Sequence, residues 1–81
     1  MGRLKVTDTV QTILRSLFND DTIIITNQLS ANDIKEWDSL NNIMLFVEIE
    51  KAFNIHFRSS EITRMENVGE LIDLIMLKLQ N

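Results

Sequence analysis

Eighty-one residues are enough for one small domain with a single core, and too few for two. The chain has no cysteine, which excludes disulfide frameworks, thiolate metal sites and cysteine nucleophiles. A formal net charge of -4 argues against nucleic acid, whose affinity rests on Lys and Arg neutralising phosphates, and favours partners with basic surfaces through complementary fields.

The first element is a helix. Val6, Val10, Ile13, Leu14, Leu17 and Phe18 recur at i, i+4, i+7, i+8, i+11 and i+12, the spacing of a helix with one buried stripe. Thr7 or Asp8 is the expected cap, and Asn19-Asp20-Asp21 ends the pattern. This helix reads as scaffolding. Thr22-Ile23-Ile24-Ile25-Thr26 is β-branched throughout and favours extended backbone. It has no partner strand elsewhere, so an extended or short-turn connection is expected, its isoleucines covering part of the core. Asn27 to Lys35 is polar, with Leu29 and Ile34 as anchors. A connection this long in a small domain tends to be functional.

Glu36-Trp37-Asp38-Ser39-Leu40 then leads into an apolar-rich segment from Leu40 to Phe53. At about 100° per residue, Leu45, Phe46, Ile49, Ala52 and Phe53 share one side of a helix. Leu40, Ile43, Met44 and Val47 fall on the roughly opposite side. One stripe packs a small domain; the second asks for another explanation, such as a docking surface beside the serine. Asn54 to Ser60 breaks the pattern, although Ile55 and Phe57 are expected to be buried. Ser59 or Ser60 opens a short helical turn, Glu61 to Met65. Asn67-Val68-Gly69-Glu70 has the form of a capping box. Val68, Leu71, Ile72, Ile75, Met76 and Leu79 follow as another single-stripe helix. There is no proline to interrupt these helices. The expected fold is all-α: a small four-helix bundle of three main helices plus one short helix, with a long first loop, in one domain over residues 1–81.

No apolar run is long enough to span a bilayer. The opening Met1-Gly2-Arg3-Leu4-Lys5-Val6 lacks the apolar core of a secretory signal, and Val6 stands where a myristoylation signal has Ser or Thr. A cytoplasmic protein, monomeric and not inserted in a membrane, is expected.

Catalytic chemistry has few candidates. His56 is the one histidine, with no Ser-His-Asp spacing around it. Asn19-Asp20-Asp21 lacks the glycine and distal glutamate of a calcium loop, and no glycine-rich phosphate loop exists. Neither an autonomous enzyme nor a resident metal is expected. Ser39 stands apart by position, at or near the cap of the central helix, where backbone N–H groups lack intrahelical partners. A serine there is by default a cap. The same place tolerates a phosphate ester, because free N–H groups and the helix dipole favour negative charge. Asp38 beside it is placed to hold a metal ion or orient the hydroxyl when a modifying enzyme docks, with Leu40, Ile43, Met44 and Val47 as the surface that enzyme meets.

Asp38-Ser39-Leu40 in front of an amphipathic helix resembles the attachment motif of acyl carrier proteins. The resemblance extends to the helix ending in Phe53, the short third helix, and Val68 with Leu71, Ile72 and Asp73, without a gap. It implies that Ser39 carries 4'-phosphopantetheine, transferred from coenzyme A by a magnesium-dependent phosphopantetheinyl transferase, and that Asp38 helps bind that magnesium. The arm's terminal thiol would hold an acyl or aminoacyl thioester, in keeping with a chain that has no cysteine of its own. Trp37 stands where bacterial fatty-acid carriers usually have glycine, and Trp-Asp-Ser-Leu looks like stand-alone carriers of specialised pathways. Trp37 is read as pinning the loop, with a partner contact as the alternative. Asn41, Asn42 and Met44 occupy places often acidic in the family, leaving Glu48 and Glu50. Recognition then depends more on the apolar stripe, and the partner-facing set is Trp37, Leu40, Ile43, Met44, Val47 and Glu48. Fatty-acid carriers draw the acyl chain into the bundle, and Phe46, Ile49, Ile62 and Met65 are the matching candidates here, with plain core packing as the alternative.

The function expected is therefore a non-catalytic carrier serving acyl-transferring, condensing or adenylating enzymes in fatty-acid, polyketide or other specialised biosynthesis. A peptidyl or D-alanyl carrier loaded by an adenylating enzyme is the nearest alternative. An unmodified helical interaction module is the other.

Overall fold

The stripe from Val6 to Phe18 becomes α1 (Arg3–Phe18), which buries Val6, Val10, Leu14 and Phe18 at every fourth position. In the computed structural model, which describes residues 2–80, α2 (Ser39–Phe53), α3 (Ser59–Arg64) and α4 (Val68–Leu79) follow, with a 3-10 turn at Ala31–Asp33 inside the long first loop. The described residues contain no strand, and the all-α four-helix reading holds. No described helix is long and apolar enough to cross a membrane.

α1 begins earlier than its apolar pattern, with Gly2 at the cap, so Thr7 and Asp8 lie inside the helix rather than before it. The first turn has a tertiary anchor instead, Arg3 Nη1 pairing with Asp73 Oδ1 on α4 at 2.6 Å. At the other end Asn19 turns left-handed (φ 51°, ψ 47°), a conformation asparagine tolerates better than most residues. Asp20 Oδ1 then accepts from both the hydroxyl and the backbone N–H of Thr22, and these bonds hold its carboxyl below the usual aspartate range.

The isoleucine run alternates as extended backbone should: Ile23 is buried, Ile24 is 70% exposed and Ile25 is half-buried. Side chains of α1 take the place of a partner strand. Arg15 Nε donates to the Ile23 carbonyl at 2.7 Å, and the Ile25 N–H donates to Gln11 Oε1 at 2.9 Å. Leu29 and Ile34 rest on the core as the anchors expected of them.

The same loop is hooked to α4. The first N–H groups of a helix have no acceptor of their own. Here Val68 N–H donates to the Leu29 carbonyl at 2.8 Å and Gly69 N–H to the Asn27 carbonyl at 3.0 Å. Asn67 Oδ1 takes the next, from Glu70 at 2.9 Å. The expected capping box is thus half formed, because Glu70 Oε1 accepts from the Glu66 N–H rather than from Asn67.

α2 buries Leu45, Phe46, Ile49 and Phe53. Ala52, expected with them, is exposed, since it lies at the edge of that arc near the end of the helix. Ile55 is buried and Phe57 half-buried, the latter with its N–H bonded to Glu50 Oε2 at 2.8 Å. α3 starts at Ser59, not Glu61. Its cap position is Arg58, whose N–H donates to Glu61 Oε1 at 2.7 Å. None of its residues is fully buried. Instead Lys78 Nζ of α4 reaches Glu61 Oε1 at 3.0 Å and lies 5.5 Å from the centre of the Phe57 ring, which meets Phe46 edge-on at 5.0 Å. The Arg58 N–H, then Lys78, hold the Glu61 carboxyl below the usual glutamate range. A lowered folded value means that this contribution is present above the unfolded pKa and is lost as pH falls through the lowered one.

The core joins Val6, Val10 and Leu14 of α1 to Leu45 and Ile49 of α2 and to Leu71, Ile72 and Ile75 of α4. α1 packs against both other long helices. Gly69 is the tightest fit, because a Cβ there would stand 2.8 Å from the Asn27 carbonyl oxygen. Gly69→Ala therefore sets a helix-propensity gain of up to about 1 kcal/mol against overpacking costs of about 1–3 kcal/mol and strain on the hook. The expected result is a urea midpoint lowered by about 1 kcal/mol of stability at unchanged m-value. An unchanged or raised midpoint would show that the loop yields freely.

Candidate functional site

The turn before α2 is tied by side chains that α2 itself supplies. Asp38 is the cap, its Oδ1 accepting from the Asn41 N–H at 2.8 Å. Asn41 Nδ2 reaches back to the Glu36 carbonyl at 2.7 Å. Trp37 Nε1 donates to Asn42 Oδ1 at 2.9 Å, and the Trp37 ring packs on Phe18 with centroids 5.8 Å apart. The default reading of Ser39 as the cap is corrected here, since capping falls to Asp38 and Ser39 is the first helical residue.

That shift by one residue decides the chemistry. The Ser39 side chain is exposed and its hydroxyl makes no hydrogen bond among the described residues. The backbone N–H groups of Ser39 and Leu40 likewise have no acceptor among them. A hydroxyl beside two unused N–H groups at the positive end of a helix is a favourable place for a phosphate ester.

Beside Ser39 lies an open groove of about 430 Å³, bounded by Trp37, Asp38 and Asn42 on one side and Ile62, Thr63 and Met65 on the other. Adjoining it is a small, partly open recess of about 60 Å³, lined by Leu45, Phe46, Val68 and Leu71 and also by Ser30, Ala31, Glu66 and Asn67. Of the four residues considered for cargo, Phe46 and Met65 line the recess and Met65 with Ile62 lines the groove. Ile49 lines neither, being fully buried in the core.

The second stripe of α2 faces solvent. Leu40 is 68% exposed, Ile43 58% and Met44 41%, while Val47 is half-buried. Glu48 pairs with Lys51 at 3.8 Å. Met44 and Glu48 also edge a shallow groove against Thr12, Ile13, Ser16 and Leu17 of α1, about 510 Å³ in volume. Trp37 is half-buried and turned inward. His56 is exposed, its Nδ1 3.9 Å from Glu50 Oε2. Among the described residues no cluster of three or more His, Cys, Asp or Glu is placed to hold a metal ion.

Asn41 and Asn42 are the residues that sequence reasoning noticed only as missing acids. A half-buried indole N–H needs an acceptor, and that need was the available signal for Asn42.

No family model matches the chain. It is 30% identical over 80 residues to a curated acyl carrier protein of Guillardia theta, covering 98% of both chains. The solution NMR structure of a holo acyl carrier protein from Geobacter metallireducens is similar with a TM-score of 0.88 and 41% identity, over 93% of this chain and 86% of that one.

The cap assignment is open to a direct check. Asp38→Ala is expected to cost about 1 kcal/mol in urea or thermal unfolding, and Asp38→Asn no more than a few tenths, because asparagine caps as well as aspartate. Equal stability of the two variants would remove Asp38 from that role.

Proposed function

The chain belongs to the acyl carrier protein family, and from that premise we propose that Ser39 bears 4'-phosphopantetheine while the bundle serves as the handle other enzymes grip. Members of this family are carriers and not enzymes. The observation that carries the proposal is the exposed, unbonded Ser39 hydroxyl in the first turn of α2, opening on a groove.

The residues present fit such a group. The free N–H groups of Ser39 and Leu40 suit a phosphodiester. Asp38 uses one carboxylate oxygen to cap the helix, which leaves the other to face a transferase's magnesium. Asn41 and Asn42 tie down Glu36 and Trp37 of the turn, and Asp38 and Ser39 next to them are both exposed. Ile62, Thr63 and Met65 give the arm an outer wall. When bound, the group supplies the thiol on which an acyl cargo rides as a thioester. Phe46 and Met65, with Leu45 and Leu71, offer that cargo an apolar recess.

Partners are met through Leu40, Ile43 and Met44 with Val47 at their edge, a contiguous exposed stripe that the core does not need. Glu48 adds one acid beside it. Trp37 acts on this surface from inside, by fixing the turn that precedes it. The enzymes served are acyl-transferring or condensing enzymes of fatty-acid, polyketide or other specialised biosynthesis.

Incubation with coenzyme A, magnesium and a permissive phosphopantetheinyl transferase is expected to raise the intact mass by one phosphopantetheine group. Ser39→Ala is expected to abolish the increase completely with the fold retained; an adduct that persists in Ser39→Ala defeats the assignment. The docking stripe has its own test. Met44→Glu places a charge in an apolar contact and is expected to lower kcat/KM of an acyl-loading partner about tenfold, on the scale of a single contact residue, with helicity unchanged. Unaltered kinetics with every partner tried would place docking elsewhere.

A further inference from the structure

Hydrogen bonds surround Ser39, yet among the described residues neither its hydroxyl nor its backbone N–H makes one. Capping α2 needs only the Asp38 carboxylate, which accepts from the Asn41 N–H at 2.8 Å. Two further side chains of the first turn are spent on the segment before it. Asn41 Nδ2 donates to the Glu36 carbonyl at 2.7 Å, and Asn42 Oδ1 accepts from Trp37 Nε1 at 2.9 Å. Trp37 is held from two other directions as well. Its ring lies on Phe18 of α1, and its backbone N–H donates to the Ile34 carbonyl at 3.1 Å.

These ties do little for the core, which α2 closes with Leu45, Phe46, Ile49 and Phe53. What they fix is the backbone on the N-terminal side of Ser39. Residues 34–38 lie outside every helix, and a connection of that kind samples many backbone states unless bonds hold it. Modification requires one geometry. The Ser39 oxygen must bond to the phosphorus that carries the pantetheine arm as the pyrophosphate bond of coenzyme A breaks. The adenosine bisphosphate half leaves, and the hydroxyl proton passes through the transferase to solvent. Order already present in the free carrier need not be created when the transferase docks.

We propose that Asn42, acting through Trp37, is a positioning residue for the modification of Ser39: its carboxamide holds the turn in the conformation that a phosphopantetheinyl transferase must meet. The inference rests on Ser39 as the tether and deepens that reading by naming what readies the hydroxyl. It also gives a reason for the two asparagines that open α2, which bond backward to the turn.

The test measures steady-state loading by a permissive phosphopantetheinyl transferase, with coenzyme A in excess and the carrier varied. The carriers are wild type, Trp37→Phe, Asn42→Ala, the double variant and Asn42→Asp. A loosened turn lowers the fraction of carrier in the competent form, which raises KM for the carrier and leaves kcat nearly as it was. Loss of one hydrogen bond corresponds to about a fivefold rise. Trp37→Phe and Asn42→Ala are each expected to show it. The double variant is expected to show no more than either, since both changes remove the same bond. Asn42→Asp keeps an acceptor oxygen and is expected to hold KM at or below the wild-type value. Ile75→Val, a change at a fully buried core position on α4, lowers stability and is expected to leave KM alone. The chain has one tryptophan, so its indole N–H resonance follows the bond directly. That resonance is expected to move upfield and exchange faster with solvent in Asn42→Ala, and to stay protected in Asn42→Asp.

An unchanged KM in Trp37→Phe and Asn42→Ala overturns the positioning role. An additive double variant also overturns it, because Asn42 would then touch the transferase on its own account. An equal rise in Ile75→Val does the same, by making the effect one of general stability. Trp37→Phe keeps a ring against Phe18, so the role stays testable if Asn42→Ala does not fold. Failure of wild type to load at all overturns the tether, and the positioning role with it.

Discussion

Asp38 closes the first turn of α2 by accepting the Asn41 N–H, and the rest of the site depends on that bond. A helix start leaves several N–H groups without partners, and a side chain at the cap satisfies one of them. Because Asp38 does so, Ser39 need not fold its hydroxyl back onto the backbone. The hydroxyl is left in solvent beside two N–H groups that no other described residue uses. Asn41 and Asn42 then tie down the two residues before the cap, so the turn is braced from within its own helix. Capping, bracing and presentation are performed by five consecutive residues from Asp38 to Asn42.

The remainder of the chain solves a different problem, the fastening of segments that have little apolar surface to bury. The long first loop passes near α1 and α4 and bonds to both. Arg15 and Gln11 satisfy its isoleucine run, and its Leu29 and Asn27 carbonyls satisfy the first N–H groups of α4. α3 buries none of its residues fully and is fastened through the Glu61–Lys78 pair, whose side chains are both mostly sheltered. Exposed ion pairs contribute little, but this one also has the Arg58 N–H on the same carboxylate and the Phe57 ring near the ammonium. The groove beside Ser39 owes its outer wall to that attachment.

On the proposed reading, carrier function draws on the division of α2 into two faces. One face builds the core, and the other leaves Leu40, Ile43 and Met44 exposed next to the serine. A protein whose work is to be handled by several enzymes benefits from an apolar stripe with few charges, since charge pairs select partners by repulsion as well as attraction. The recess behind the groove is small, with Leu45 and Phe46 of α2 and Val68 and Leu71 of α4 among the residues that line it.

Apolar periodicity determined the three long helices, the single-stripe character of α1 and α4, the double-faced α2 and the anchoring of the loop, because each depends on the chain's local repeat; the short α3 was legible only from the serines that open it. The Asp38-Ser39-Leu40 motif and its place at a helix start were equally legible, being local as well. Helix limits were less so. α1 runs ahead of its apolar pattern to reach Asp73, seventy residues away along the chain, and α3 begins early. Which of Asp38 and Ser39 caps α2, how Ala52 falls outside the buried arc and why Ile49 is sealed off while Met65 borders both spaces were settled by tertiary geometry. So were the paired asparagines, whose meaning appears only when a tryptophan pressed against Phe18 needs an acceptor for its indole N–H. Periodicity reports which face a side chain occupies; what meets it there depends on segments far away in the chain.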